Sequence, residues 1–167
     1  AHYLNAEKLK IFLSEITKEY FNSSDLIEDI SNYQIFLNKE KMATLKLDRH
    51  TVAQKLADEV INFENIYKAV TANTLQTTHF PSGILNSLQN GYNQKFSGDV
   101  LMIPNPATLI RARKGTSHGS GYSYDTHVPI IFYGNGIKKG VSKKRYTITD
   151  IAPTIANLLR IEAPNGT

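Results

Sequence analysis

From Lys114 to Pro129 the chain carries Gly115, Gly119 and Gly121 among serines, threonines, Tyr122, Tyr124, Asp125 and the histidines His118 and His127. No apolar period runs through these residues, so they read as a polar loop rather than a helix or strand. The apolar run Val128 to Tyr133 follows at once and reads as a strand. A polar loop held by a buried strand is a common place for function, and glycine lets backbone approach a ligand closely.

The 167 residues suffice for one domain with a core, or for a core layer with a small appended subdomain. No window approaches the roughly 20 apolar residues of a membrane span, and no signal segment opens the chain. The absence of cysteine excludes disulfides and thiolate metal sites, leaving His, Asp, Glu and hydroxyl ligands. The net charge of +4 is uneven, with Lys138, Lys139, Lys143, Lys144 and Arg145 crowded into one stretch. Nucleic-acid binding would add interleaved aromatics or a known motif, and neither is present, so no nucleic-acid partner is expected.

Asn5 is placed to cap a helix from Ala6 to about Phe21, where Leu9, Phe12, Leu13, Ile16 and Tyr20 form one apolar stripe. Leu26 to Ile30 and Tyr33 to Leu37 are short β-rich runs broken by Ser31-Asn32, which read as a hairpin or a bent strand pair. Asp48 reads as the cap of a helix from His50 to Phe63, and Ile66 to Leu75 as a third strand. The order α, β, β, α, β predicts a small layer with helices on one face of a sheet, over residues 1–80. Ser82 opens a short helix that ends near Gly91, and Asp99 to Ile103 reads as a strand. Tyr146 to Thr149 reads as another, before a last helix with Asp150 as cap, Pro153 in its first turn, and Ile151, Ile155, Leu158 and Leu159 as its buried side.

His118, flanked by Ser117 and Gly119, suits metal coordination because small neighbours leave the imidazole free to point from the backbone; a solvent-exposed loop histidine is the alternative. Gly115-Thr116-Ser117-His118-Gly119 also matches the G-x-S-x-G pattern of serine hydrolases. That motif needs a strand before and a helix after, with acid and base from distant loops, and the surroundings of Ser117 supply none of these. Asp125 and His127 alternate along an extended segment, so they share a face, either orienting groups near a metal or closing the loop on its own amides. His2, His50 and His79 have no partner at ligand spacing and read as exposed or capping residues. No phosphate-loop, H-E-x-x-H or EF-hand pattern occurs.

Two segments carry a family resemblance: Gly115 to Ser120 with Tyr124 to Gly134, and Thr149 to Ala156 with Ile161 and Pro164-Asn165-Gly166. Together they resemble the late metal-binding segment and the closing strand-helix segment of the alkaline phosphatase superfamily. Within it they look like the secreted bacterial phosphatases related to type I phosphodiesterases and nucleotide pyrophosphatases. The resemblance covers residues 98–167, and residues 1–80 only through their element order.

The resemblance implies an α/β fold in two parts, a small α/β cap over residues 1–80 and a C-terminal part of the catalytic core over 81–167, with a partial mixed sheet. It places the late metal-binding histidine at His118. It further implies two zinc ions, a phosphate ester substrate, a threonine or serine nucleophile forming a covalent phosphoryl intermediate, and a periplasmic or secreted location. The family's nucleophile and its other metal ligands lie upstream of these motifs, and none is present. The expectation is therefore a C-terminal fragment with no catalytic residue of its own and no phosphatase activity alone, its partner being the missing N-terminal part of the same chain. Without that part, strands within 98–167 would lack neighbours. A non-catalytic α/β binding module using the basic Lys138 to Arg145 stretch for an anionic partner is the alternative reading.

Overall fold

The structure is a computed structural model that describes residues 2–110 and 118–164. The chain separates into two compact units, Ala1–Val128 and Pro129–Thr167.

In the first unit, β1 (His2–Tyr3) leads into α1 (Ala6–Phe21). The Asn5 side chain caps α1 as expected, accepting the Lys8 amide proton at 3.0 Å. Leu9, Leu13 and Ile16 recur at the helical period and are buried. The helix stops at Asn22, whose left-handed backbone turns its N–H back to the Thr17 carbonyl.

A hairpin follows, β2 (Ile27–Ser31) and β3 (Gln34–Leu37). Its turn is Asn32-Tyr33, one residue later than the break read from sequence, and both residues have positive φ (49° and 60°). That is the twist-matched two-residue hairpin turn. A left-handed tyrosine is unfavourable on its own. Here its hydroxyl donates to the Thr108 carbonyl at 2.8 Å, its carbonyl accepts from Met102 at 2.7 Å, and burial raises the phenol pKa.

A helix the sequence reading lacked, α2 (Lys39–Thr44), comes next, capped by Asn38 and burying only Met42. Asp48 caps α3 (Arg49–Val60), which buries Val52, Ala53, Leu56, Ala57 and Val60. The expected strand from Ile66 to Leu75 is shorter: β4 (Ile66–Thr71) gives way to α4 (Ala72–Thr77). The switch falls at Thr71 because its hydroxyl accepts the Thr74 amide proton at 3.1 Å, a helix cap inside an apolar run. α5 (Gly83–Gly91) begins after Ser82, which makes no side-chain cap. Asn86 and Gln89 hold that end instead, Asn86 by donating to the Phe80 carbonyl at 2.7 Å and Gln89 by accepting the Phe80 amide proton at 3.1 Å.

β5 (Val100–Pro104) is buried at every position and enters the sheet between β3 and β4, giving the antiparallel order β2-β3-β5-β4. The layer formed by residues 1–80 is thus completed by a strand from beyond it. Side chains alternate across a sheet, and β5 shows it. Val100 and Met102 join the main core with α1 and α3, whereas Leu101 joins Val70, Leu75, Phe80, Leu85 and Leu88. Helices therefore cover both faces, α1 and α3 on one and α4 and α5 on the other, not one face as expected. β6 (Thr108–Leu109) pairs with β1 in parallel, so parallel and antiparallel pairings coexist in this mixed α/β chain.

The second unit differs from expectation. Val128 to Tyr133 joins no sheet, and Ile131 and Tyr133 are 82% and 100% exposed. Tyr146 to Thr149 is likewise no strand; it leads into a 3-10 turn, Ile148–Asp150. A strand needs a neighbour to satisfy its N–H and C=O groups, and among the described residues neither run has one. The last helix, α7 (Ile151–Leu159), forms where predicted, but Asp150 makes no side-chain cap to it, its carboxylate accepting from the Thr147 amide and hydroxyl instead, and Ala156 alone is buried. Ile155, Leu158 and Leu159, expected inside, are exposed.

A clamped loop carrying His118 as a candidate metal-binding site

Within the first unit, the loop residues from His118 to His127 are described, while Ser117 and the residues back to Arg111 lie outside the described residues. His118 and Gly119 are exposed, and Ser120 is half-buried. Asp125 reaches back five residues, its Oδ2 accepting from the Ser120 amide at 2.9 Å and from the Ser120 hydroxyl at 2.5 Å. These two donors, the hydroxyl foremost, hold the Asp125 carboxyl below its ordinary pKa, and the nearby His118 adds to the effect. The structure thus brings His118 and Asp125 together through Ser120, a residue the sequence reading did not single out.

The extended segment expected at Asp125 and His127 is instead one helical turn, α6 (Ser123–Thr126), with His127 as its last cap. Four-residue turn geometry replaces alternation because the Thr126 and His127 amides close onto the Tyr122 and Ser123 carbonyls at 3.0 Å each. His127 is exposed, on this turn.

Two tyrosines fasten the loop to the sheet. Tyr122 donates its hydroxyl proton to the Pro104 carbonyl at the end of β5 (2.8 Å), and burial raises its phenol pKa. The Tyr124 hydroxyl accepts the Ala107 amide proton at 2.8 Å, and the two rings stack at 5.7 Å. Gly119 to Gly121 line a cleft of about 70 Å³ together with Tyr33, Ile84, Leu88 and Leu101 to Pro104. The loop is therefore seated on the end of β5 and the start of α5.

What this arrangement offers chemically is one exposed imidazole beside a carboxylate whose Oδ2 is already engaged. A tetrahedral zinc site takes three or four protein ligands. Among the described residues no three His, Asp or Glu side chains gather closely enough to hold a metal ion. The donors present suit one ligand position and do not make a complete site. A larger open groove of about 460 Å³ lies elsewhere, over α3, lined by His50, Lys55 and other polar side chains. Lys55 there is paired with Glu59 at 2.6 Å and sits over the Tyr20 ring. His2, His50 and His79 are exposed.

No protein-family model matches the chain. Alkaline phosphatase PafA of Elizabethkingia meningoseptica is 33% identical over 161 residues, 96% of this chain and 30% of that protein. Its crystal structure superposes with a TM-score of 0.86 at 32% identity, covering 97% of this chain and 31% of the other. Along nearly its whole length the chain is similar to part of an alkaline phosphatase, in sequence and in fold. Alkaline phosphatase PhoV of Synechococcus elongatus (strain ATCC 33912 / PCC 7942 / FACHB-805) is 33% identical over 137 residues, 82% of this chain and 25% of that protein. A Myroides odoratus protein named calcium-transporting ATPase is 33% identical over 166 residues, 98% of this chain and 30% of that protein. The chain spans about 30% of the length of the alkaline phosphatase PafA it matches. The mixed α/β fold expected from the motifs is that of the matched part of PafA. Among the described residues no helix is long and apolar enough to cross a membrane.

Proposed function

We propose that this chain is the C-terminal portion of a zinc-dependent phosphatase or phosphodiesterase, in which His118 is one ligand of a two-zinc site. The observation that carries the reading is the clamped presentation of His118 in a chain that aligns along 96% of its length with an alkaline phosphatase. The metals would supply charge for a phosphate ester and an activated oxygen. This chain's own part is to hold His118 in place through Ser120, Asp125, Tyr122 and Tyr124. The nucleophile, a threonine or serine that carries the phosphoryl group in a covalent intermediate, belongs to the remainder of the enzyme.

Residues 1–80 would form a cap that shapes the substrate cleft, and 81–167 the late part of the catalytic core. The exposed apolar side chains of the second unit, Ile131, Tyr133, Val141 and Ile148 among them, support a role for the remainder of the enzyme as partner. They form the kind of surface that ordinarily lies within an interface. Export to the periplasm or beyond is part of the same reading. The test is turnover of p-nitrophenyl phosphate. The chain alone should give none above its His118→Ala variant, and the enzyme that contains it should lose both bound zinc and turnover with that substitution. Turnover by the chain alone would defeat the fragment reading, and an enzyme indifferent to His118→Ala would defeat the ligand assignment.

One observation favours the second reading, an anion-binding module. Pro129–Thr167 carries Lys138, Lys139, Lys143, Lys144, Arg145 and Arg160 against only Asp150 and Glu162, so it holds the whole net charge of +4. The five basic residues between Lys138 and Arg145 are all exposed. Salt-sensitive binding to an anionic polymer, abolished by neutralising Lys143, Lys144 and Arg145, would support it.

A further inference from the structure

The dipeptide Asn-Gly occurs at 90–91, 135–136 and 165–166, the last outside the described residues. Asparagine is among the thermolabile residues: its side-chain amide is open to attack by the backbone nitrogen of the residue after it, and glycine there puts no side chain in the way. Folding sets the first two pairs apart. Asn90 and Gly91 lie in α5, where backbone amides serve the helical ladder, and Asn90 Nδ2 donates to Asn86 Oδ1 at 3.2 Å. Asn135 and Gly136 are exposed in the second unit, outside any helix or strand. The Ile137 amide donates to the Gly134 carbonyl at 3.3 Å, so Asn135 and Gly136 are the two central residues of a turn. Gly136 has φ +81°, a value for which the third place of a turn calls on glycine. A Cβ at Gly134 or Gly136 would meet nothing within 4 Å. Among the described residues, no hydrogen bond holds the Asn135 side chain or the Gly136 amide.

We propose that Asn135 is a site of covalent self-modification, losing its amide to become aspartate or isoaspartate while Asn90 is preserved. The Gly136 nitrogen gives up its proton to base and attacks Asn135 Cγ. The new N–C bond closes a succinimide ring, the Cγ–Nδ2 bond breaks, and Nδ2 takes the proton and leaves as ammonia. Water then opens the ring at either carbonyl. At one it gives an ordinary aspartate, at the other an isoaspartate whose main chain runs through Cβ. No oxidant or reductant takes part. Ring closure at Asn135 asks the turn to rotate about one exposed residue against a single long hydrogen bond, whereas at Asn90 a helix must open first. The product alters the stretch that follows. A carboxylate replaces a neutral amide three residues before Lys138, lowering the net charge by one from +4, and the isoaspartate form adds a backbone carbon within the turn. The amide does not return in water, so the change runs one way.

To test this, the protein at its natural length is aged in mildly alkaline buffer, folded and, in parallel, unfolded in urea, then digested with trypsin. Asn135 is the only asparagine or glutamine between Lys114 and Lys138, so its peptide reports it alone. Asn90 falls between Lys68 and Lys95, and Asn165 follows Arg160, so the three pairs are read separately. Mass spectrometry follows the change from amide to acid, with fragmentation placing it inside the Asn90 peptide, and an isoaspartate-specific methyltransferase reports the isomer. In the folded protein Asn135 should convert on the order of tenfold faster than Asn90 or more, because Asn90 waits on the opening of α5. In urea the two rates should converge. Gly136→Ala, which sets a methyl group beside the attacking nitrogen, should slow conversion at Asn135 and leave Asn90 as it was. Equal rates in the folded protein, or a faster Asn90, would overturn the proposal, as would a Gly136→Ala protein that converts at the wild-type rate. The same gap persisting in urea would assign the difference to neighbouring residues and not to the fold, and would overturn it too. The wild-type comparison does not depend on the variant folding.

Discussion

Asp99 accepts the Leu37 amide proton on Oδ2 at 2.9 Å, joining the end of β3 to the start of β5 across 62 residues of chain. Its Oδ1 takes the Arg49 side chain from the first turn of α3, so one buried carboxylate ties two strands and a helix. Asp99 is 4% exposed. Asp99→Ala leaves the Leu37 amide unpaired in the interior and should cost about 2 kcal/mol in urea unfolding. Asp99→Asn keeps an acceptor for Leu37 and should cost less. An alanine variant as stable as wild type would contradict the clamp.

Thr71 ends β4 and caps α4 with one hydroxyl, which accepts from Thr74 and lies 2.9 Å from the Thr74 hydroxyl. It is almost fully buried. Thr71→Ala should lower stability by about 1 kcal/mol in denaturant titration, as for other lost caps. Thr71→Ser, which keeps the oxygen, should recover most of it.

The Asp48 carboxylate accepts the Thr51 hydroxyl and amide protons at 2.7 Å each, and these bonds, the hydroxyl first, lower its pKa. A depressed folded-state value means the cap's contribution is present above the ordinary carboxylate pKa and fades as pH falls through the lower folded value. Asp48→Asn should still cap α3 but without this acid dependence. Thermal midpoints below pH 4 should therefore fall less steeply in the variant, and parallel curves would contradict the assignment.

Neutralising Lys138, Lys139, Lys143, Lys144 and Arg145 together should move the unfolding free energy by no more than about 0.5 kcal/mol, since these residues are exposed and none forms an ion pair among the described residues. A larger loss would show that the stretch packs on something within the chain.

Legibility in the sequence followed the range of the forces. Asn5 and Asp48 were readable as caps because a cap is settled within four residues, and α1 because Leu9, Leu13 and Ile16 repeat at the helical period. Thr71 was hidden inside the run Val70 to Leu75, whose apolar and β-branched character masks a local hydroxyl bond. α2 buries one residue, too few to make a period. The apolarity of Val128 to Tyr133 announced a need for a neighbour without saying which. In the loop, His118 and Asp125 stood out by residue type. That Gly121 and Ile84 line one cleft did not, since 37 positions separate them and only the folded chain brings them together.

The sheet order also bears on how this protein is made. β3 and β4 do not pair with each other; β5 lies between them and pairs with both. As the chain leaves the ribosome, the hairpin and β4 emerge first, with edges that nothing yet made can cover. The layer closes only when residues 100–104 are free to slot in, so its assembly waits on late synthesis. A pause before residues 100–104 leave the ribosome would prolong the life of open edges, whereas one after they are free would find the sheet already shut.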